Sequence, residues 1–319
     1  MKNKSMWIAA VIMIPLVILV SFICVKESKN MGTIAGFAIG QAELRNTIEI
    51  PLSEANSLEA DYGSPNLKIY PTDGDTIIIK EYLHSDAATA ECVIENKKAT
   101  VKSRKTITLV LMGTGERIEI YLPKEGIKEL DLKTASGNIT ADEAFAITAE
   151  EVSVAAASGN IKWRDTDAKK AYFTAASGNI KVFDIVAEEV VVTTASGNID
   201  TENVTGILTA TAASGNIDAL AVKGCGSVTA SSGNVKMELE EVTGDINLKT
   251  NSGGVKLLLP KGLSFTFEAQ TSSGNISTAF DEQLSYNKKG NQASGTVGAS
   301  PAFAVSAKAS SGNVKITEQ

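Results

Sequence analysis

The sequence is poor in aromatic residues, which make up 5% of its 319 residues, and it contains one histidine, His84. His84 follows a strongly apolar stretch and falls in a predicted turn or strand end, so we expect it to serve a surface or packing role. A single histidine provides neither a His-rich metal site nor, in that position, a partner for a catalytic nucleophile.

Cysteine, proline and positive charge are also limited. The three cysteines are Cys24, Cys92 and Cys225, and because the last two are far apart in sequence we expect no disulfide. No proline lies between Pro123 and Pro260, as uninterrupted strand pairing requires. The formal net charge is −7, which disfavours nucleic-acid binding because that function needs a basic face.

The main feature that the sequence does contain is a repeat built around Thr134–Ile139, TASGNI. Its Ser-Gly-Asn core recurs every 17 to 22 residues, and a fixed short period is typical of repeat architectures. The core serines are Ser136, Ser158, Ser177, Ser196, Ser214, Ser232, Ser273 and Ser311, with a Ser-Gly-Gly variant at Ser252 and a Ser-Gly-Thr variant at Ser294.

Around each copy, apolar residues alternate with polar ones. The apolar positions lie four and two residues before the serine and three and five residues after it, as at Phe173, Ala175, Ile180 and Val182. Alternation with a period of two predicts half-buried strands. A unit of about 19 residues cannot bury its own apolar side, but stacked units can. The sequence therefore predicts an all-β fold, a parallel β-helix-like β-solenoid of strand-turn-strand repeats.

The turn residues have a structural explanation. We expect glycine to supply a positive φ angle, asparagine to secure the turn and stack in a ladder, and the serine and the following isoleucine to face the stack. The predicted structural turn residues are Gly137, Asn138, Gly159, Asn160, Gly178, Asn179, Gly197, Asn198, Gly215, Asn216, Gly233, Asn234, Gly274, Asn275, Gly312 and Asn313.

The N-terminal segment predicts a membrane anchor. Residues 6–25 are uncharged and largely apolar, which is long enough for one transmembrane helix. A cleaved signal peptide is the alternative, with Thr33-Ile34-Ala35 as a weak site. Lysines flank both ends of the run, so the positive-inside rule leaves the orientation nearly balanced, and the short N-terminus favours an extracytoplasmic C-terminal domain on the cell membrane.

The rest of the chain divides by regularity. We predict a signal anchor over residues 1–27, a spacer over 28–45, irregular capping β-rungs over 46–123 and the regular Ser-Gly-Asn solenoid over 124–319. Capping rungs would stop end-to-end stacking of solenoids. The handedness of the coil and the number of faces per rung cannot be read from the period.

The segment Ile118–Pro123, followed by Ile127–Leu132 and TASGNI, resembles the bacterial "putative adhesin" β-strand-repeat family of unknown function. The Leu58 to Ile69 stretch with its Asp-Gly-Asp turn fits the same pattern, and the resemblance covers residues 46–319. With the N-terminal span, the chain is similar to membrane-anchored members of Gram-positive bacteria, some of them associated with Lia-type envelope-stress systems. The resemblance implies a solenoid with no catalytic residues to transfer.

Two surface patterns contain groups that could carry chemistry. Adjacent carboxylates at Glu150-Glu151, Glu188-Glu189 and Glu240-Glu241 fit solvated turns, with weak divalent-cation binding or catalysis as the alternatives. A threonine column (Thr174, Thr193, Thr211, Thr229) fits a cross-strand packing surface, with ordered-water binding as the alternative. Most aromatic residues fall in inward columns, and Tyr172 is the outward exception.

These observations predict a membrane-anchored, extracytoplasmic β-solenoid with an adhesin-like or envelope-interaction, stress-associated role. We predict no catalytic, cofactor or metal site, and a cell-envelope protein or glycan as partner besides the membrane. The alternatives are a β-helix enzyme acting on cell-wall or extracellular polysaccharide and a membrane-tethered cytoplasmic scaffold or regulator.

Overall fold

The computed structural model describes residues 34–35, 42–84, 87–103, 107–108, 115–142 and 146–319. Within these ranges the chain forms 24 β-strands and one 3₁₀ turn, Asp281–Gln283. The all-β prediction is confirmed. The predicted anchor and most of the predicted spacer, including Cys24, lie outside the described residues. Among the residues that are described, no helix has the length and apolar character needed to cross a bilayer.

The strands are numbered in chain order. The irregular first part contains β1 Ile34–Ala35, β2 Glu43–Pro51, β3 Ser57–Tyr62, β4 Asn66–Thr72, β5 Thr76–Leu83, β6 Ala90–Glu95, β7 Lys98–Ser103, β8 Ile107–Thr108 and β9 Arg117–Pro123. The regular part contains β10 Glu129–Thr134, β11 Ile139–Ala141, β12 Ile147–Ala156, β13 Ile161–Ser177, β14 Ile180–Ser196, β15 Ile199–Ser214, β16 Ile217–Ser232, β17 Val235–Ser252 and β18 Val255–Leu259. The last part contains β19 Phe265–Ser273, β20 Ile276–Thr278, β21 Leu284–Tyr286, β22 Gln292–Val297, β23 Phe303–Ser311 and β24 Val314–Glu318.

The long strands β13 to β17 are stacked rungs in parallel register. Ile161 pairs with Ile180, Ile180 with Ile199, and Ile199 with Ile217, so one column position repeats from rung to rung. Each rung therefore lies on the one before it with its backbone hydrogen bonds directed along the stack. This arrangement is the β-solenoid that the period predicts.

Each rung has three sides, a number that the period left open. In β13 the buried positions alternate over Ile161–Trp163, then over Thr166–Ala168, and then over Ala171–Ala175, with partly or fully exposed pairs between these runs. We call these the first, second and third sides, starting from the Ser-Gly-Asn corner. The corner between the first and second sides has positive φ at Asp165, Asp184, Asn203 and Ala221.

The predicted apolar columns form the core. Ile180, Val182, Val192 and Ala210 are all fully buried, and so is Trp163, whose indole Nε1–H donates to Thr166 Oγ1 at 2.8 Å. Residues of these columns are incompletely buried only in the outermost C-terminal rung, where Ile276 and Thr278 of β20 are partly exposed. There Phe265 packs edge-on against Phe280 and parallel to Phe303, with ring centroids 5.3 and 5.6 Å apart, and these rings close the end of the core.

The N-terminal end is irregular because its strands do not stack in chain order. The strand β3 lies between β7 and β10, and β4 lies between β9 and β11, so the earlier strands occupy an inner rung and the later ones an outer rung. Beyond them β5 pairs antiparallel with β9, β2 with β5, and β6 with β7. Antiparallel pairing breaks the parallel pattern that another solenoid end would need for continued stacking.

The C-terminal end has the same kind of exchange. The strand β23 pairs with both β17 and β19, and β24 pairs with both β18 and β20. The last rung in sequence is therefore inserted between two earlier ones. Ser294-Gly295-Thr296 differs from its prediction as a repeat turn, because it lies within β22, which pairs antiparallel with β19 as an outer hairpin.

Candidate interaction surfaces

The Ser-Gly-Asn corners stack into one continuous ridge. The backbone N–H of each asparagine donates to the side-chain Oδ1 of the corner residue below it, at 2.8–2.9 Å, from Asn138 on Asn66 up to Asn234 on Asn216. Gly254 donates to Asn234 in the same way but has no side-chain oxygen to offer the next rung. Above that gap, Asn275 donates to Asn313. The asparagines thus form a hydrogen-bonded ladder along the stack.

The corner glycines are required mainly by close approach. A Cβ atom built on any of them would lie 1.8–2.2 Å from the carbonyl oxygen of the corner residue below. Positive φ, the reason expected from the sequence, holds at Gly197, Gly215, Gly233, Gly253 and Gly312. At Gly137, Gly159, Gly178 and Gly274 the close backbone contact alone excludes a side chain.

The corner serines point outward. Ser136, Ser158, Ser177 and Ser196 are all exposed, whereas the isoleucines that follow these four corners are buried. The expectation that the serine faces the stack is wrong. The alternation of the preceding strand would place the serine inward, but the corner interrupts that alternation, which resumes with the buried residue three positions later. The ridge therefore presents a serine column beside the asparagine column.

The third side presents a flat sheet of small side chains. Thr174, Thr193, Thr211 and Thr229 are register partners in consecutive strands, and alanines lie beside the first three of them next to the corner. Thr193 is only 7% exposed, and the other three threonines are partly exposed. Tyr172 is the large outward side chain on this side, and its hydroxyl donates to Glu189 Oε2 at 3.3 Å. Burial and the nearby Glu189 raise the pKa of Tyr172. Across these rungs the third side is nearly uncharged.

The first side presents charged columns that are mostly paired. Lys162 Nζ lies 2.5 Å from Asp142 Oδ2, Arg164 lies 2.9 Å from Asp184, and Lys181 lies 3.1 Å from Asp200 in the next rung. The column itself runs in like-charged pairs, because Lys162 is the register partner of Lys181 and Asp200 is that of Asp218. Contacts between unlike neighbours offset this repulsion. Exposed pairs of this kind add little stability.

The adjacent carboxylates lie at the corner between the second and third sides. Lysines share that corner: Glu151 and Glu189 flank Lys170 in the register, and Lys223 lies 3.3 Å from Glu240. An acidic stripe does not form. Within the described part of the chain, no group of three or more His, Cys, Asp or Glu residues is arranged to hold a metal ion.

The N-terminal end holds a buried carboxylate. Glu81 is fully buried and accepts hydrogen bonds from the Tyr62 hydroxyl at 2.9 Å, the Asn46 side chain at 2.9 Å and the Ala90 backbone N–H at 3.1 Å. Burial and the neighbouring Glu81 raise the pKa of Tyr62 well above its usual value. His84 is also buried, so of the surface or packing role expected of it, burial favours packing.

An aromatic cluster on the outward face of β4, β9 and β5 was missed by sequence reasoning. The rings of Tyr70 and Tyr121 stack with centroids 5.2 Å apart, and the Arg117 guanidinium lies 3.8 Å from the centre of the Tyr82 ring. Glu119 accepts from Arg117 Nε at 2.8 Å and from the Tyr121 hydroxyl at 3.1 Å. Three tyrosines far apart in sequence are thus joined through strand pairing.

The polar groups of this cluster satisfy one another. Burial acts to raise the pKa of Glu119, but the hydrogen bonds from Arg117 and Tyr121 outweigh it and hold the pKa below its usual value. Burial and Glu119 raise the pKa of Tyr121 to about 12. Because Arg117 covers a face of the Tyr82 ring and the Tyr70 and Tyr121 rings cover each other, the cluster braces the capping strands.

The comparison that decides the family is with protein-family models. The model of Toastrack DUF4097 matches residues 55–317. The chain belongs to the Toastrack family. The resemblance drawn from its turn and strand motifs, to a family of unknown function, is confirmed. No curated protein matches the sequence.

Solved structures similar to this Toastrack chain include a "putative adhesin" from Parabacteroides distasonis, at 13% identity and a TM-score of 0.49, covering 89% of this chain and 100% of that one. A "putative adhesin" from Bacteroides fragilis has 13% identity and a TM-score of 0.45, with 87% and 100% covered. One from Parabacteroides merdae has 12% identity and a TM-score of 0.41, with 70% and 99% covered.

Proposed function

We propose that this Toastrack protein is a membrane-anchored contact module of the bacterial envelope, with its solenoid outside the cytoplasm. It acts by adhesin-like binding of an envelope partner, without catalysis. The apolar run of residues 6–25 supports the anchor, since 20 uncharged residues match the thickness of a bilayer. A role in envelope stress follows from the resemblance to Lia-type members.

The observation that carries the proposal is the flat third side of the solenoid. Its outward columns are threonine, alanine and other small residues held in register over consecutive rungs. Short side chains on a hydrogen-bonded sheet lose little conformational freedom when a partner binds, so the surface is preorganised. Threonine hydroxyls and methyl groups at the spacing of β-strands, about 4.8 Å, suit an extended partner such as an envelope glycan.

The arrangement of carboxylates supports binding over hydrolysis. Glycoside hydrolysis uses two carboxylates that face each other across a bond, one of them protonated through burial. Glu150, Glu188 and Glu240 are exposed at corners, and Glu150 and Glu240 lie within 4.0 Å of lysines. Exposed carboxylates with lysine neighbours fit solvated corners better than they fit the paired acids of a hydrolase.

Topology is tested with an impermeant thiol reagent. A single exposed cysteine is introduced at the corner, Ser158→Cys, in a chain with its native cysteines replaced by serine. Labelling in intact cells supports the external placement. Protection in intact cells with full labelling after lysis overturns it and supports the cytoplasmic scaffold.

Contact is tested by sedimentation of the full chain, in neutral-lipid nanodiscs, with purified cell-wall material. Thr174→Arg with Thr211→Arg places two long cations on the third side without touching the core, and should abolish binding. The matched control, Val186→Arg with Thr205→Arg on the second side, should bind like the parent chain. Equal binding by both variants, or none by the parent chain, overturns the proposal. Glycan turnover lost on Glu188→Gln would support the enzyme instead.

A further inference from the structure

Near the C-terminal end, the first side carries three stacked lysines. Lys236 is the register partner of Lys256, and Lys256 is the register partner of Lys315. Strands in register lie about 4.8 Å apart, so the backbone positions of neighbouring lysines in this stack are separated by that distance. All three point outward, and Lys256 and Lys315 are exposed. Like charges placed directly opposite each other destabilise a sheet.

Earlier in the same column Lys162 is also the register partner of Lys181, but both of those lysines have a carboxylate partner, so the later stack differs in its ion pairing. Three rungs before the stack begins, Lys181 is paired with Asp200 at 3.1 Å. In the rung next to the stack, Asp218 is the register partner of Lys236. Within the stack, Lys236 has one carboxylate at 3.9 Å, from Glu238. Among the described residues, neither Lys256 nor Lys315 has an ion-pair partner within 4.0 Å.

A second pair of lysines lies across the corner, on the third side. Lys249 is the register partner of Lys308, and Lys308 Nζ lies 3.1 Å from Glu268 Oε1. Five lysines thus flank one stretch of the corner ridge, with Glu238 and Glu268 as the carboxylates paired to them. The protein as a whole is acidic, with a net charge of −7, so the charge of this stretch is opposite in sign to that of the whole chain.

Polar side chains lie at the corner between the two lysine groups. In the earlier rungs the residue before the corner serine is alanine, as at Ala157, Ala176 and Ala195. In the last four rungs it is polar and exposed: Ser231, Asn251, Ser310 and Ser272. The corner then presents a double column of polar side chains exactly where the lysines stack. Hydroxyls and ammonium groups are the donors that bind phosphate oxygens.

The shape of this surface favours a linear ligand. The corner is a convex edge, so a flat membrane would touch it along a line, whereas a flexible chain can follow it with donors on both flanks. The screening length at physiological salt is about 8 Å. An extended anionic surface would also meet the acidic remainder of the protein, and a short run of anionic groups along the edge would not.

We propose that this lysine ridge (Lys236, Lys256 and Lys315 on one flank, Lys249 and Lys308 on the other) binds a linear phosphodiester polymer laid along the solenoid axis. The surface is separate from the small-residue sheet of the proposed function, and the two proposals can fail independently.

The test measures binding of a synthetic glycerol phosphate oligomer to the full chain in phosphatidylcholine nanodiscs. The double variant Lys256→Gln, Lys315→Gln should weaken binding by about five- to tenfold. The reason is that one exposed charge contact changes an affinity by up to about fivefold. Affinity of the parent chain should fall as salt rises. The matched control, Lys162→Gln with Lys181→Gln on the paired part of the same column, should bind within about twofold of the parent chain.

A structural readout separates loss of the ligand from loss of the fold. Because removing stacked like charges relieves repulsion, the free energy of unfolding of the Lys256→Gln, Lys315→Gln variant should equal or exceed that of the parent chain. Equal oligomer affinity for this variant and the parent overturns the proposal. Two other results also overturn it. One is lysine-dependent binding to phosphatidylglycerol vesicles with no binding to the oligomer. The other is displacement of the oligomer by inorganic phosphate at an equal concentration of phosphate groups.

Discussion

The backbone N–H of Asn198 donates to Oδ1 of Asn179 at 2.8 Å, one rung below it. The same bond recurs along the corner, so the side chain of one repeat satisfies the backbone of the next. This relationship makes the corner asparagine a contact between repeats, and it implies that its loss is felt by the neighbouring rung.

Asn179→Ala should therefore lower the free energy of unfolding by about 0.5–1.5 kcal/mol, the net value of one hydrogen bond. Urea unfolding followed by circular dichroism measures it. Ser177→Ala, at the exposed serine of the same corner, is the control and should change stability by less than about 0.5 kcal/mol. Identical unfolding curves for the two variants would show that the ladder adds no stability.

Gly215→Ala should be much more damaging. Its Cβ would lie 1.8 Å from the carbonyl oxygen of Gly197, and its φ of +145° disfavours any side chain. Overpacking and backbone strain together should cost at least about 2 kcal/mol. Gly63→Ala, where nothing lies within 4 Å, is the control and should unfold nearly like the parent. A Gly215→Ala chain as stable as Gly63→Ala would contradict the close stacking.

Ile180→Ala should cost about 2–5 kcal/mol, because Ile180 is fully buried in the first-side column. Val186→Ala, at a residue 50% exposed on the second side, should shift stability by less than about 0.5 kcal/mol. Thermal and urea unfolding measure both. A larger loss of stability in Val186→Ala than in Ile180→Ala would mean that the inward and outward positions of the strand are wrongly assigned.

Glu59 predicts a pH dependence. Its carboxylate lies 2.8 Å from Lys98 and 3.2 Å from Lys102, and these contacts lower the pKa of Glu59 to about 2 against the opposing effect of burial. A lowered pKa stabilises the fold above the usual value of 4.5, and that stabilisation is lost as pH falls toward about 2.

Glu59→Gln should accordingly be less stable than the parent chain at neutral pH, by about 1–3 kcal/mol after screening. The difference should shrink as the pH is lowered below 4.5. Unfolding by urea at several pH values measures it. Glu188→Gln removes the same charge at an exposed corner without two lysines and serves as the control. A difference that stays constant with pH would refute the assignment.

Tyr62→Phe removes one of the donors to the buried Glu81 carboxylate. An under-satisfied buried acceptor costs about 1–3 kcal/mol, so this variant should be clearly less stable. Tyr172→Phe, which loses a longer bond at 3.3 Å on the partly exposed third side, should differ little from the parent chain. Equal losses for the two variants would show that burial of Glu81 does not matter.

The regular rungs were predictable because two signals agree in them. The period of two fixes which residues of a strand are buried, and the repeat of about 19 residues places those residues over each other. Ile161, Ile180 and Ile199 are thus recognisable as one column from sequence alone. The turn at Gly63–Asn66 takes the place of Ser-Gly-Asn in its rung, since Asn66 accepts the bond from Asn138.

The rest depends on pairings that the period does not encode. The sequence shows that β23 and β24 form a rung, but nothing local says which rung lies beside it. The tyrosine cluster arises because β5 turns back to pair antiparallel with β9, which brings Tyr82 beside Arg117. The lysine stack likewise needs the true rung order, since Lys315 is next to Lys256 only after the last rung is inserted.

That insertion also has a consequence for synthesis. As the chain leaves the ribosome, the strands β19 and β20 emerge before the strands that separate them from the body of the solenoid. During synthesis, the solenoid can therefore add rungs in chain order only as far as β18. Closure of the distal end must await the emergence of β23 and β24, and a truncation before Phe303 removes an internal layer, not the outermost one.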